Sequence, residues 1–218
     1  RPWGSRMTRI SSPSSAKAAR RTRAVESFRT AAECIGPVES GMSLFAITRG
    51  QFSMIDAVLH VLDQVGPARL SVWTWTVADY EVQALTNLMR DGRITGGTLV
   101  IDQGARYKNQ AIIDDWRRTL GPDSVRWVRN HSKIALVETD RYKVLLRGSM
   151  NLNANPRFEQ LDITEGGPDY DLVAGLQAEL PILSDTATVP EVYQACRLGE
   201  AFEPQQLAMF AGVKTWTP

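Results

Sequence analysis

From Ser43 onward, short apolar runs alternate with stretches whose apolar residues recur at helical spacing, and few folds accommodate that rhythm. A run too short for a helix and rich in β-branched residues wants a sheet, and the amphipathic stretches between such runs want a sheet face to cover. Ser43 to Thr48 (SLFAIT) reads as a strand, and Phe52 to Val65 as a helix with Ile55, Val58, Leu59 and Leu62 on one side, closed by Gly66-Pro67. Arg69 to Val77 (RLSVWTWTV) is a second strand, and Asp79 can cap a helix running to about Arg90. Gly92 and Gly96-Gly97 bracket a turn before a buried strand, Thr98 to Asp102. A helix from Asn109 to Leu120 stops at Gly121-Pro122, and Val125 to Val128 resumes extended structure. Lys133 to Val137 and Tyr142 to Leu146, separated by Glu138-Thr139-Asp140-Arg141, form a hairpin. A strand near Leu161 to Thr164, a helix from about Asp169 to Ala178 and a helical tail after Pro190 complete the pattern. The expectation is an α/β/α sandwich on a mixed sheet, without internal repeats.

Charge divides the chain differently. The first thirty residues carry eight basic side chains, from Arg1 to Arg29, against Glu26 alone, hence +7. Since the whole chain is +1, the remainder is −6. The reading is therefore a basic, Ser-rich arm over residues 1–40, a folded domain over 41–180 and a helical tail over 181–218. The arm is weakly structured by composition and either binds a polyanion or serves as a solubilising terminus. Arg1 to Ser5 resemble a cloning remnant, because Gly4-Ser5 is a common junction and Met7 follows. An acidic body must hold any polyanion through local groups.

No run reaches the roughly 18 apolar residues of a membrane span, and the start of the chain lacks a secretory apolar core, so a soluble cytoplasmic protein without stable membrane association is expected. Cys34 and Cys196 stand alone, outside any zinc pattern, and read as reduced and buried.

The chemistry concentrates in His131-Ser132-Lys133, the hairpin, Gly148-Ser149-Met150-Asn151 and Glu159. Residues i and i+2 of a strand share a face, so His131 and Lys133 project together, and a hairpin folding back brings Ser149 and Asn151 beside them. An ammonium, a hydroxyl and an amide suit a phosphate, and Gly148 would let a ligand approach the backbone closely. His131 is the group there able to attack phosphorus or move a proton near neutral pH. Glu159 is a plausible acceptor for its second ring N–H.

The order H-x-K, strand, turn, strand, G-S-x-N resembles the motif of the phospholipase D superfamily. The motif match is close, and the order of elements from Ser43 to Thr164 matches loosely. The resemblance implies an α/β/α sandwich in which two such motifs meet, one histidine forming a phosphohistidine and the other protonating the leaving oxygen, with no metal or other cofactor. It makes His131 nucleophile or acid, gives phosphate binding to Lys133, Ser149 and Asn151, and matches Glu159 to the acid that orients the histidine. One copy of the motif implies a homodimer, because His60, the other histidine, sits in a helical apolar pattern as a core or surface residue. One departure stands out: the family's aspartate, five residues after the lysine, is Glu138 here, with Asp140 two further on, and either acid could fill the role, which the resemblance makes mainly structural.

The functional expectation is a metal-independent phosphodiesterase acting on nucleic acid, DNA before RNA. The alternatives are a nucleic-acid-binding protein of this fold with little turnover, and a phospholipid phosphodiesterase, for which no interfacial helix is evident. Trp73, Trp75, Trp116 and Trp127 read as core before base-stacking surfaces, since they fall in periodic apolar segments.

Overall fold

The computed structural model describes residues 23–26 (backbone only), 30–150, 152 and 157–198. Its elements in chain order are β1 (Arg23–Glu26), α1 (Ala31–Ile35), β2 (Ser43–Thr48), α2 (Met54–Val65), β3 (Ala68–Thr74), α3 (Asp79–Arg90), β4 (Ile94–Gly96), β5 (Leu99–Asp102), α4 (Gln110–Leu120), β6 (Val125–Val128), β7 (Ile134–Glu138), β8 (Lys143–Gly148), β9 (Glu159–Glu165), α5 (Pro168–Glu179) and α6 (Val189–Ala195). The strands form one mixed sheet in the order β1-β2-β9-β8-β7-β3-β5-β6, with β4 paired to β3. β2, β3, β5, β6 and β8 point one way, and β7 and β9 run against them.

Alternation along the strands decides the two faces. Leu70, Val72, Ala135, Val137, Val144, Leu146, Leu161 and Ile163 project to one side and merge with the buried residues of α2, α3 and α4 into the main core. On the other side Leu136 and Leu145 pack against Tyr170 of α5. Helices thus cover both faces, giving the expected α/β/α sandwich. α2 shows why the covering helices form. Ser53 N–H donates to Asp56 Oδ2 at 2.7 Å, and Met54, Ile55, Ala57, Val58, Val61 and Leu62 are all buried. At the far end Gly66 takes φ +81°, and its N–H closes on the Leu62 carbonyl at 3.0 Å. Truncating a side chain as buried as Leu62 to alanine costs about 2–5 kcal/mol.

The sandwich begins earlier than composition indicates. β1 adds parallel to β2, Arg23 opposite Leu44, and α1 buries Cys34 and Ile35 beneath α2, so residues 23–26 and 31–35 belong to the domain and not to a loose arm. An edge strand is held by backbone hydrogen bonds that a basic sequence does not advertise. The other basic residues of the arm, at positions 1–22 and 29, and the tail beyond 198 lie outside the described residues, although α6 does start at Val189 with Pro190 in its first turn.

Tryptophan placement also splits. Trp116 and Trp127 are core, and Trp73 is half-buried with its indole N–H on Gln177 at 3.0 Å. Trp75, just past β3, is exposed, contrary to the core reading. Both Cys34 and Cys196 are free thiols.

Candidate active site

An open α/β sheet binds ligands beyond the carboxyl ends of its parallel strands, where the chain turns away and leaves backbone and side chains unpaired. His131, Lys133, Ser149 and Glu159 lie along that edge. His131 and Lys133 precede β7, Ser149 follows β8, and Glu159 opens β9. The hairpin ladder continues one step beyond Ile134↔Arg147, where Gly148 N–H donates to the Lys133 carbonyl at 3.2 Å. Ser149 N–H then donates to the Gln160 carbonyl at 3.1 Å, tying the end of β8 to β9.

Lys133 is buried, at 7% exposure, whereas His131 is exposed. Lys133 Nζ donates to the His131 carbonyl at 2.6 Å and stands 3.2 Å from His131 Nδ1. Burial pulls the ammonium below the usual lysine range, and the charge of Glu159 opposes that shift. With Lys133 charged it can only donate, which leaves the ring proton of a neutral His131 on Nε2. A phosphate arriving here would compete for the Lys133 protons and release Nδ1.

The loop carrying His131 is fixed from β5. Asp102, 4% exposed, accepts from Asn130 N–H and from Gly104 N–H, each at 2.8 Å, and pairs with Arg129 at 3.3 Å. Asn130, itself buried, accepts from Ser132 N–H at 2.8 Å and donates to the Ser132 carbonyl at 3.2 Å. His131 is therefore clasped between a side chain on one side and a buried carboxylate behind it. The only sequence signal for this clasp is Asn130 two residues before Ser132, the spacing at which an Asn side chain mimics a turn.

Two expectations need revision. The hydrogen bond anticipated between Glu159 and the His131 ring is not formed within the chain. Glu159 instead accepts from Ser149 Oγ, while Ser149 Oγ accepts from Gln160 N–H at 2.9 Å. Ser149 must turn its proton from Glu159 to meet a phosphate. Gly148 is glycine for β9 and not for a ligand, since a Cβ there would stand 2.0 Å from the Gln160 carbonyl oxygen. Glu138 ends β7, about 17 Å from Lys133 by strand rise, where it faces Tyr170. Asp140 sits exposed in the hairpin turn. Asn151 lies outside the described residues. His60 is a partly buried helix residue whose Nε2 lies 2.8 Å from the Gly36 carbonyl.

Among the described residues no three His, Cys, Asp or Glu side chains cluster as metal ligands. A cavity of about 560 Å³ opens at the opposite end of the sheet, lined by Arg69, Gly96, Gly97, Asp123 and Ser124 among others, and its lining includes neither histidine nor cysteine. No protein-family model matches the chain, and no curated protein matches it.

Proposed function

We propose that the chain is a metal-independent phosphodiesterase of phospholipase D type that cleaves nucleic acid at a site completed by a second copy of itself. The observation that carries this reading is Lys133 Nζ lying 3.2 Å from His131 Nδ1 at the carboxyl edge of the sheet, with Ser149 across the hairpin. A buried cation beside an exposed imidazole binds one phosphate oxygen while the ring faces phosphorus. The unprotonated ring nitrogen forms the N–P bond as the ester P–O bond breaks. The departing oxygen takes a proton from the protonated His131 of the second copy. That His131 then removes a proton from water, whose oxygen displaces the imidazole and restores both subunits.

Ser149 hydrogen-bonds the phosphate after releasing Glu159, and Asn151, two residues on, is its partner in the resemblance. The proposal takes the second histidine from another copy, since His60 is committed in α2 to the Gly36 carbonyl. A reducing, cytoplasmic setting is part of the proposal, in keeping with the two free thiols.

Cleavage of labelled DNA in EDTA, with a dimer by sedimentation, is expected of the parent chain, and His131→Ala or His131→Asn should abolish it. Cleavage that survives either substitution removes the mechanism.

One observation favours a second reading, a nucleic-acid-binding protein with little turnover. The His131 ring has no carboxylate partner among the described residues. Salt-sensitive gel shifts without cleavage would select that alternative.

A further inference from the structure

We propose that the carboxyl edge of the sheet is a stacking rim that takes single-stranded nucleic acid across the His131 site, a substrate assignment that rests on the phosphodiester reading above. The large apolar side chains left in solvent are not scattered evenly. Tyr107 is 80% exposed, Phe158 72%, Tyr80 60% and Trp75 42%. All four leave the sheet at the same edge. Trp75 follows β3, Tyr80 lies in the first turn of α3, Tyr107 lies in the 3-10 turn after β5, and Phe158 precedes β9. The exposed apolar residues on α5 and on its connection to α6 are aliphatic, and a further exposed ring, Tyr193, lies on α6, which packs against the same 3-10 turn.

Two of the rings are paired with cations. The Arg49 guanidinium lies 5.3 Å over Phe158, and that of Arg106 lies 4.6 Å over Tyr107 while donating to the Tyr107 hydroxyl at 2.7 Å. A guanidinium on a ring fixes the ring's orientation and sets positive charge where a phosphate backbone would run. Trp75 is held at its backbone, its carbonyl accepting from Asn109 Nδ2 at 3.4 Å, while its indole N–H has no partner among the described residues. Trp73, two residues earlier, commits its own to Gln177.

Spacing joins the rim to the chemistry. β3 and β9 are separated in the sheet by β7 and β8, so Trp75 and Phe158 flank Lys133 and Ser149 about 14 Å apart by strand spacing. A few nucleotides bridge that span at about 3.4 Å per stacked step. A duplex keeps its bases stacked internally and offers rings nothing without unpairing, whereas a single strand presents its base faces. An acidic body gains little from long-range attraction, so base stacking supplies affinity that overall charge does not.

The test uses the full-length chain carrying His131→Ala, so that binding is read without turnover. Fluorescence anisotropy at one fixed salt concentration would compare a single-stranded oligonucleotide, its duplex and an abasic strand of equal length. The expected result is that the base-bearing single strand binds tightest. Trp75→Ala and Phe158→Ala should each weaken it by roughly 5- to 150-fold, with the abasic strand unaffected. Trp75→Phe, which keeps a stacking face, should hold affinity within about threefold. Equal binding of abasic and base-bearing strands, or a preference for duplex, overturns the rim. So does a result in which the alanine variants alter the sedimenting mass and leave affinity unchanged, because the rings would then be a subunit contact. If the stacking pattern holds and the parent chain does not cleave, the rim stands and the phosphodiesterase reading falls.

Discussion

The two ends of the β7–β8 hairpin are built from similar residue types and behave oppositely. At the turn end, Glu138, Lys143, Glu165 and Tyr170 close on one another. Gly41 N–H donates to Glu165 Oε2 at 2.6 Å, Gly166 N–H to the Lys143 carbonyl at 2.7 Å, and Lys143 Nζ sits 5.6 Å over the Tyr170 ring. At the open end Lys133 is buried beside an exposed histidine, and Ser149 holds Glu159. One end uses its charges to bind the chain to itself. The other keeps an imidazole in solvent and a desolvated cation next to it. The difference separates the proposed site from the turn end better than residue type does, since both ends carry a lysine and a glutamate.

The comparison breaks first at Lys133. Lys133→Met keeps the buried stem and removes the charge, and kcat/KM should fall by about 10²–10³, the usual loss when one donor to developing phosphate charge is deleted. The melting temperature should hardly change. Lys143→Met at the other end should leave activity within about twofold. Comparable losses from the two substitutions would erase the distinction.

The next largest effect is expected behind His131. Asp102→Ala leaves the buried Asn130 N–H without its acceptor, costing about 1–3 kcal/mol in chemical denaturation. Releasing the loop should also lower kcat about tenfold or more while KM moves less. Asp102→Asn retains an acceptor of the same shape and should recover part of both losses. A variant that loses stability with kcat intact would make Asp102 a cap on β5 and nothing more.

How far the sequence reveals all this depends on the kind of contact. The α/β alternation and the hairpin are legible because strand and helix periods are local, and His131 beside Lys133 follows from the two-residue repeat alone. The Asp102 clasp is not legible, because 28 residues separate Asp102 from Asn130 and only the parallel pairing of β5 with β6 brings them together. The partner of Glu159 is not legible for a related reason. Which donor a carboxylate meets depends on strand register, and the β8–β9 register sets Ser149 beside it. β1 is not legible because its pairing is carried by backbone, nor is the exposure of Trp75, because the apolar pattern of β3 gives no sign that the strand stops at Thr74.

The turn end predicts a smaller effect. Burial first, and then the Glu138 carboxylate, push the Tyr170 hydroxyl above its ordinary value of about 10. A raised folded value means the native state holds this proton more tightly than the unfolded chain. The associated stability is therefore complete below pH 10 and is lost as pH rises beyond it. Tyr170→Phe should cost about 1 kcal/mol or less at pH 8, with no change in cleavage. Its melting temperature should approach that of the parent above pH 10, and a gap that widens there would reverse the sign of the linkage.

The subtlest measurement returns to the open end and asks whether the charges there are coupled. On the proposed reading Lys133 must be protonated to hold phosphate, and burial has already lowered its proton affinity while Glu159 partly restores it. The alkaline limb of kcat/KM should therefore lie at lower pH than an ordinary lysine would give. Glu159→Gln removes the restoring charge while keeping an oxygen to accept from Ser149, so the limb should move further toward neutrality. Glu138→Gln, about 17 Å away along β7, should leave the limb where it is. A limb that stays fixed in Glu159→Gln, or moves equally in Glu138→Gln, would mean that Lys133 does not set the alkaline limit.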